Sequence, residues 1–232
     1  MLYFGSFNPV HRGHIAIAEH VIERDIADMV VMVVSPQNPF KQTGSLAPEL
    51  ERFEGAEAAA AASKYPSQIQ ASAVEMALPK PSYTINTLRF LTERFPEKQF
   101  SILMGEDNAA GLTGWREADK IIGHYPIYVY PRSGGAAPGR DVGDGSHEGG
   151  EPAKFPAGVT VLDNAPLFDV SSTAVRELLE SGRNHHRANR FGAAANDFAR
   201  VLALAPANAE AAGYLELIEE ILNYRNTDLL NP

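Results

Sequence analysis

Residues 29–34 read MVVMVV, six consecutive apolar residues with no polar alternation. A run of strand length that is apolar on both faces suits a strand in the middle of a parallel sheet, covered by helices above and below. The surrounding pattern fits that frame. Strands are expected at 2–4, 69–74, 100–104 and 127–130, with a short returning strand at 159–162. Helices are expected at 13–24, with Ile15, Ile17, Ala18, Val21 and Ile22 as its apolar positions, at an alanine-rich stretch near 50–64, at 84–95 with Ile85, Leu88 and Leu91 on one side, and around 117–122. Strands alternating with helices predict an α/β fold, a parallel sheet with helices on both faces. In such sheets ligands sit beyond the carboxyl ends of the strands. The polar segments 6–14, 35–41 and 105–108 all follow strands in this way.

Composition narrows the function classes. The chain has 232 residues, 44% hydrophobic and 21% charged, enough for one sizeable core or a core with a small appendage. No stretch approaches the eighteen apolar residues of a membrane span, and MLYFGSFNPVHRGH lacks the basic leader and apolar core of a secretory signal. Cysteine is absent, which excludes disulfides, thiolate catalysis and thiolate metal ligation. A cytoplasmic location is expected. With 20 basic and 29 acidic residues the net charge is −9 and no basic block is visible, so neither a nucleic-acid nor a membrane partner is expected. An acidic chain can still hold a small nucleotide through helix N-termini, histidines and a few long cations.

Residues 133–158 contain eight glycines and three prolines, too poor in apolar side chains to build much core. They are expected to form a surface insertion, with a lid over the nucleotide as the alternative. A helix is expected to start at 172–179. We place the main domain at 1–182 and a helical C-terminal extension at 183–232, ending in an amphipathic helix at 214–224. Ala194, Phe198, Val201 and Pro206 match the second half of a tetratricopeptide repeat, but one repeat cannot sustain a solenoid, and a helical cap on the main domain is the preferred reading.

Four segments carry the chemistry. In Gly5-Ser6-Phe7-Asn8-Pro9-Val10-His11-Arg12-Gly13-His14, small residues follow a strand and two histidines three apart open a helix, so both rings can lie on one side beside unpaired N–H groups. Such a site can hold a phosphate chain while charge shifts during transfer. HxxH spacing also occurs in zinc sites, but no third ligand lies in a matching context, so no protein-held metal is expected. Ser171-Ser172-Thr173-Ala174-Val175-Arg176 can cap a helix, or cradle phosphate with Arg176 one turn in. Lys41, in the prolyl loop 36–41, and Arg132 are either phosphate contacts or solvated surface cations. Finally, Ser82, Tyr83 and Thr84 open a helix, and Trp115-Arg116 holds the only tryptophan, either a core residue or a stacking platform for a flat ring.

Together GSFNPVHRGH at 5–14 and SSTAVR at 171–176 resemble the two signatures of the HIGH-type nucleotidyltransferase superfamily. Within it, NPFK at 38–41, SYTINTLRFL at 82–91, GEDN at 105–108, Trp115 and YPR at 130–132 resemble the bacterial nicotinate-mononucleotide adenylyltransferases. The likeness covers roughly 1–132 and 159–182. It implies a Rossmann-like fold and transfer of an adenylyl group from ATP, with magnesium, to nicotinate mononucleotide. By this resemblance His11, His14, Lys41 and Arg176 serve the reaction. Gly5, Ser6, Phe7, Gly105, Asp107, Ser171, Ser172 and Thr173 join the histidines and Arg176 around ATP, with Asp107 near the ribose. Asn8, Lys41, Ser82, Tyr83, Thr84, Trp115, Arg116 and Arg132 take the mononucleotide, with Trp115 against its ring. Three features depart from the family pattern: the first strand is short, the insertion at 133–158 is longer than usual, and the stretch after Gly182 replaces the usual compact tail. Nicotinamide mononucleotide and phosphopantetheine are the alternative acceptors. A nucleotide-binding protein without turnover, acting through its tail, is the alternative of another class.

Overall fold

A computed structural model describes residues 1–36, 46–131, 155–162, 164–166 and 170–228. Six strands form one parallel sheet: β1 (Leu2–Gly5), β2 (Val30–Val34), β3 (Ile69–Ser72), β4 (Ile102–Gly105), β5 (Ile127–Tyr130) and β6 (Val159–Val161). Their spatial order is β3-β2-β1-β4-β5-β6, so the direction of winding reverses between β1 and β4. This is the Rossmann-like arrangement expected from the sequence, and the reversal opens a crevice at the carboxyl ends of those two strands. The run at 29–34 is the neighbour of β1, pairing Leu2 with Val31 and Gly5 with Val34.

Alternation along the strands feeds two cores. Tyr3, Met32, Val34 and Leu103 face helices α1 (Arg12–Glu23) and α2 (Glu49–Ala61), meeting Ile17, Val21, Ala56 and Ala60. Leu2, Phe4, Val33, Ile102 and Met104 face the other side, where α3 (Thr84–Arg94) and α5 (Ala118–His124) supply Ile85, Leu88 and Ile121. Neither face of β2 can be polar under this double cover, which is why its sequence does not alternate. The short α4 (Glu106–Ala110) follows β4 directly, and a single 3₁₀ turn at Val74–Met76 follows β3.

The helix expected to start at Ser172 runs much further, as α6 (Ser172–Arg187), with no break at residue 182. It packs with α7 (Phe191–Leu204) and α8 (Ala209–Asp228) around a third core that includes Val175, Leu179, Ala194, Phe198 and Val201. The tail is therefore built onto the last helix of the main domain. Arg183 ties α6 to α8 through Glu210, at 2.6 and 2.7 Å, and Arg12 on α1 donates to Ala203 O at 3.3 Å.

Gly182 lets the Phe198 ring of α7 approach α6 closely in that core. A Cβ there would lie 2.7 Å from Phe198 Cε1, and Phe198 is itself fully buried and stacked on Tyr214 at 4.5 Å. Alanine would gain roughly 1 kcal/mol of helix propensity. Overpacking a rigid buried ring costs about 1–3 kcal/mol, and the steric term should win. Gly182→Ala is expected to lower the melting temperature by a few degrees, read by thermal denaturation; an unchanged or higher value would show that the ring yields.

Candidate active site

The loop after β1 is set by its own packing. Phe7 has φ of 42°, in the left-handed region, and its ring folds back over Gly5, where a Cβ would lie 2.9 Å away. Gly5 and Phe7 were expected to line ATP. In the structure the Phe7 side chain is buried core, and the absence of a side chain at Gly5 first serves that ring. Gly105 plays the same part at the end of β4, where a Cβ would meet Tyr130 at 3.1 Å, and the Tyr130 hydroxyl accepts from Tyr3 at 2.9 Å.

The chain then enters α1. The His11 N–H donates to His14 Nδ1 at 3.1 Å, and the two rings stack with centroids 3.7 Å apart. Phe7 meets the His14 ring edge-on at 5.1 Å. The spacing of three thus places both imidazoles together at the start of the helix, where the N–H dipoles favour anions. His11 is nearly buried and His14 half-buried.

The second motif docks on the first across more than 160 residues of chain. Ser172 Oγ donates to Pro9 O at 2.9 Å, and Arg176 Nη1 donates to Asn8 O at 2.6 Å. Arg176 Nη2 also donates to Thr173 Oγ1 at 2.9 Å, while Ser171 Oγ accepts from Ala174 N at 3.1 Å as a helix cap. Capping is therefore what the structure gives Ser171, and Thr173 is exposed beside Arg176. Asn8, expected near the mononucleotide, has its side-chain oxygen engaged by Ala47 N–H at 3.1 Å and is almost fully buried.

On the other side of the β1 terminus lies a cavity of about 80 Å³. Ser82, Tyr83, Thr84, Trp115 and Arg116, grouped in the sequence around the mononucleotide, all line it, and so does Ser6, which was grouped with ATP. Trp115 is half-buried, packing against the second core while also lining the cavity. The Arg116 guanidinium sits 4.8 Å over the Tyr83 ring. Asp107 is exposed on α4, just beyond β4. Lys41, Arg132 and residues 133–154 of the insertion lie outside the described residues.

Two polar residues at this site were not singled out in the sequence. Arg52, on α2, is 3% exposed and donates to Ser6 O, Ser35 O, Pro36 O and Ala47 O at 2.6–3.0 Å. It holds the backbone after β1 and the backbone after β2 in register with each other. Its signal was available: Arg52, Ala56 and Ala60 fall at a spacing of four on the buried stripe of α2. Glu75, after β3, is 2% exposed and faces the cavity, with Oε1 accepting from Thr87 Oγ1 at 2.8 Å. Burial pushes its carboxyl above the ordinary range, opposed by hydrogen bonds from Thr87 and Ser35.

A family model described as cytidylyltransferase-like matches residues 2–178. The probable nicotinate-nucleotide adenylyltransferase of Cytophaga hutchinsonii is 38% identical over 183 residues, covering 79% of this chain and 86% of that protein. Those of Flavobacterium johnsoniae and Bacteroides fragilis are 38% and 37% identical over the same length, covering 87% and 83% of those proteins. The chain belongs to the nicotinate-nucleotide adenylyltransferase family. Among solved structures, Plasmodium falciparum nicotinic acid mononucleotide adenylyltransferase complexed with NaAD shares the fold, with TM-score 0.56 at 15% identity over 77% of this chain and 82% of that one. Membership in this family makes the chain a nucleotidyltransferase acting on small nucleotide substrates. Its matched region ends within α6, so α7 and α8 lie beyond the family model. Among the described residues no helix is long and apolar enough to cross a membrane.

Proposed function

We propose that this chain transfers the adenylyl group of ATP to nicotinate mononucleotide, giving nicotinate adenine dinucleotide and pyrophosphate. The observation that carries the reading is the docking of Ser172 and Arg176 onto the Asn8–Pro9 backbone, which sets a paired-histidine helix start beside the cavity lined by Trp115. The nicotinate-nucleotide adenylyltransferases that the chain is similar to supply the substrate pair.

In this reading a phosphate oxygen of the mononucleotide attacks the α-phosphorus of ATP. The new P–O bond forms as the bond to the β-phosphate oxygen breaks, and pyrophosphate leaves with that electron pair. The nucleophile is already an anion, so no strong general base is needed; alignment and charge stabilisation do the work. His11 and His14 meet the phosphates at the start of α1, and Thr173 and Arg176 grip the triphosphate from α6. Lys41 would add a mobile positive charge. Among the described residues no group of three acidic or histidine side chains is placed to hold a metal. Magnesium would enter as part of the substrate, bound through the phosphates of ATP.

Two measurements test this. An ATP analogue chiral at an α-thiophosphate should give a product inverted at phosphorus; retention would mean two displacements and a covalent intermediate. Trp115→Ala should raise the KM for the mononucleotide by about tenfold, the scale of a lost aromatic contact, and leave the KM for ATP near its starting value. An equal rise for both substrates would make Trp115 a packing residue only.

A further inference from the structure

The cavity beside Trp115 contains two buried polar atoms that lack a hydrogen-bond partner, Glu75 Oε2 and Ser82 Oγ. Native proteins rarely leave such groups unpaired, because each loses its water without compensation. Glu75 is the more demanding of the two. Its Oε1 already accepts from Thr87 Oγ1, so a proton on this carboxyl belongs on Oε2, the unpartnered atom. Ser35, Thr87, Ser82 and Tyr83 surround it from β2's end, α3 and the segment before α3, and Tyr83 and Arg116 are the other titratable side chains lining the cavity. The pocket therefore offers a pair of directional groups to whatever ring enters it.

In the reading above the base of the mononucleotide enters the cavity that Trp115 lines, and Glu75 and Ser82 line that same cavity. We propose that Glu75 is the residue that reads the substituent on the acceptor's ring, selecting a carboxylate when its own carboxyl is protonated and a carboxamide when it is ionised. This rests on the pyridine-mononucleotide reading above. With a proton on Oε2, Glu75 donates to one oxygen of a ring carboxylate and Ser82 donates to the other, satisfying both unpartnered atoms. Without it, Glu75 repels the carboxylate at short range but accepts from the NH₂ of a carboxamide, whose oxygen takes the Ser82 hydroxyl. Burial holds the Glu75 carboxyl above the ordinary carboxylate range, against the hydrogen bonds from Thr87 and Ser35, which favours the acid over the lower part of the range.

The test is the ratio of kcat/KM for nicotinate mononucleotide to that for nicotinamide mononucleotide, measured with saturating ATP and magnesium from about pH 4.5, near the ordinary carboxylate range, to about pH 8.5. Titration of the acceptor phosphate, of His11 and of His14 is common to both acceptors and cancels in the ratio. The acid-to-amide ratio is expected to fall by about tenfold or more as pH rises and Glu75 ionises. Glu75→Gln keeps an acceptor for Thr87 and puts a non-titrating N–H donor where Oε2 stood, so its ratio should stay in favour of the acid and be flat with pH. A flat wild-type ratio, or the wild-type slope persisting in Glu75→Gln, would overturn the assignment. A residue that only braces the fold would lower both acceptors together and leave the ratio alone. The wild-type profile needs no variant, so the test survives a Glu75→Gln protein that fails to fold. Turnover with a pyridine acceptor but a flat ratio rejects Glu75 alone; turnover with neither pyridine acceptor rejects the substrate reading and Glu75's role with it.

Discussion

His14→Ala should lower turnover by about two orders of magnitude or more with the fold intact. The His11 N–H donates to His14 Nδ1, so the Nδ1 lone pair is used and the ring carries its proton on Nε2, the form that donates to an anion. Stacking on His11 and the edge contact with Phe7 hold that orientation before substrate arrives. A donor fixed in this way acts on charge that develops during transfer, and losing one such donor costs on the order of 100- to 1,000-fold. Alanine also removes the acceptor for the His11 N–H, a loss of about 1 kcal/mol at a helix start. That corresponds to only a few degrees of melting temperature in a chain of this size, too little to account for the kinetic loss through unfolding. Steady-state rates and thermal melts on the same preparation check both halves. Near-normal turnover would remove His14 from the reaction.

Arg52→Ala should be the most damaging substitution away from the substrates. The planar guanidinium serves four backbone carbonyls from three segments, and all four would lose their donor inside the protein. Each hydrogen bond to a charged group contributes roughly 1.5–3 kcal/mol, and a buried carbonyl left unpaired adds its own cost. The contributions are not additive, and roughly 3–5 kcal/mol is a reasonable total. Against a net stability of about 5–15 kcal/mol this is a large fraction, and it predicts a fall of roughly 10 °C in melting temperature. Activity should fall with it, because Ser6 lines the acceptor cavity and Ser6–His11 leads into the histidine pair. Arg52→Lys should rescue little, since a single ammonium cannot span the fork. A melting temperature unchanged in Arg52→Ala would show that water or neighbouring groups replace the guanidinium.

Much of this arrangement was legible in the sequence, and the reasons are physical. The uninterrupted run at 29–34 implied a strand buried on both faces, and β2 has that position. The motif at 5–14 and the one at 171–176 were each ambiguous alone, and only their docking shows that they form one site. The groups that escaped notice are those whose importance lies in burial. Arg52 and Glu75 read as ordinary charges on ordinary segments, and nothing local reveals that one spans two loops and the other ends in a cavity. Gly5 illustrates a different limit: the sequence reads it as room for phosphate, and only the structure adds that a Cβ at this end of β1 would meet the Phe7 ring. The helical tail was expected, but not its root: α6 belongs to two bodies at once, its first turn gripping the active-site loop and its later turns forming the floor for α7 and α8.

The most direct test of the whole account is pyrophosphate release from the full chain with ATP and magnesium, comparing nicotinate mononucleotide, nicotinamide mononucleotide and phosphopantetheine as acceptors. Rapid release is expected with nicotinate mononucleotide at neutral pH, and far less with the other two. No release with any acceptor from folded protein, or a preference for phosphopantetheine, would contradict it.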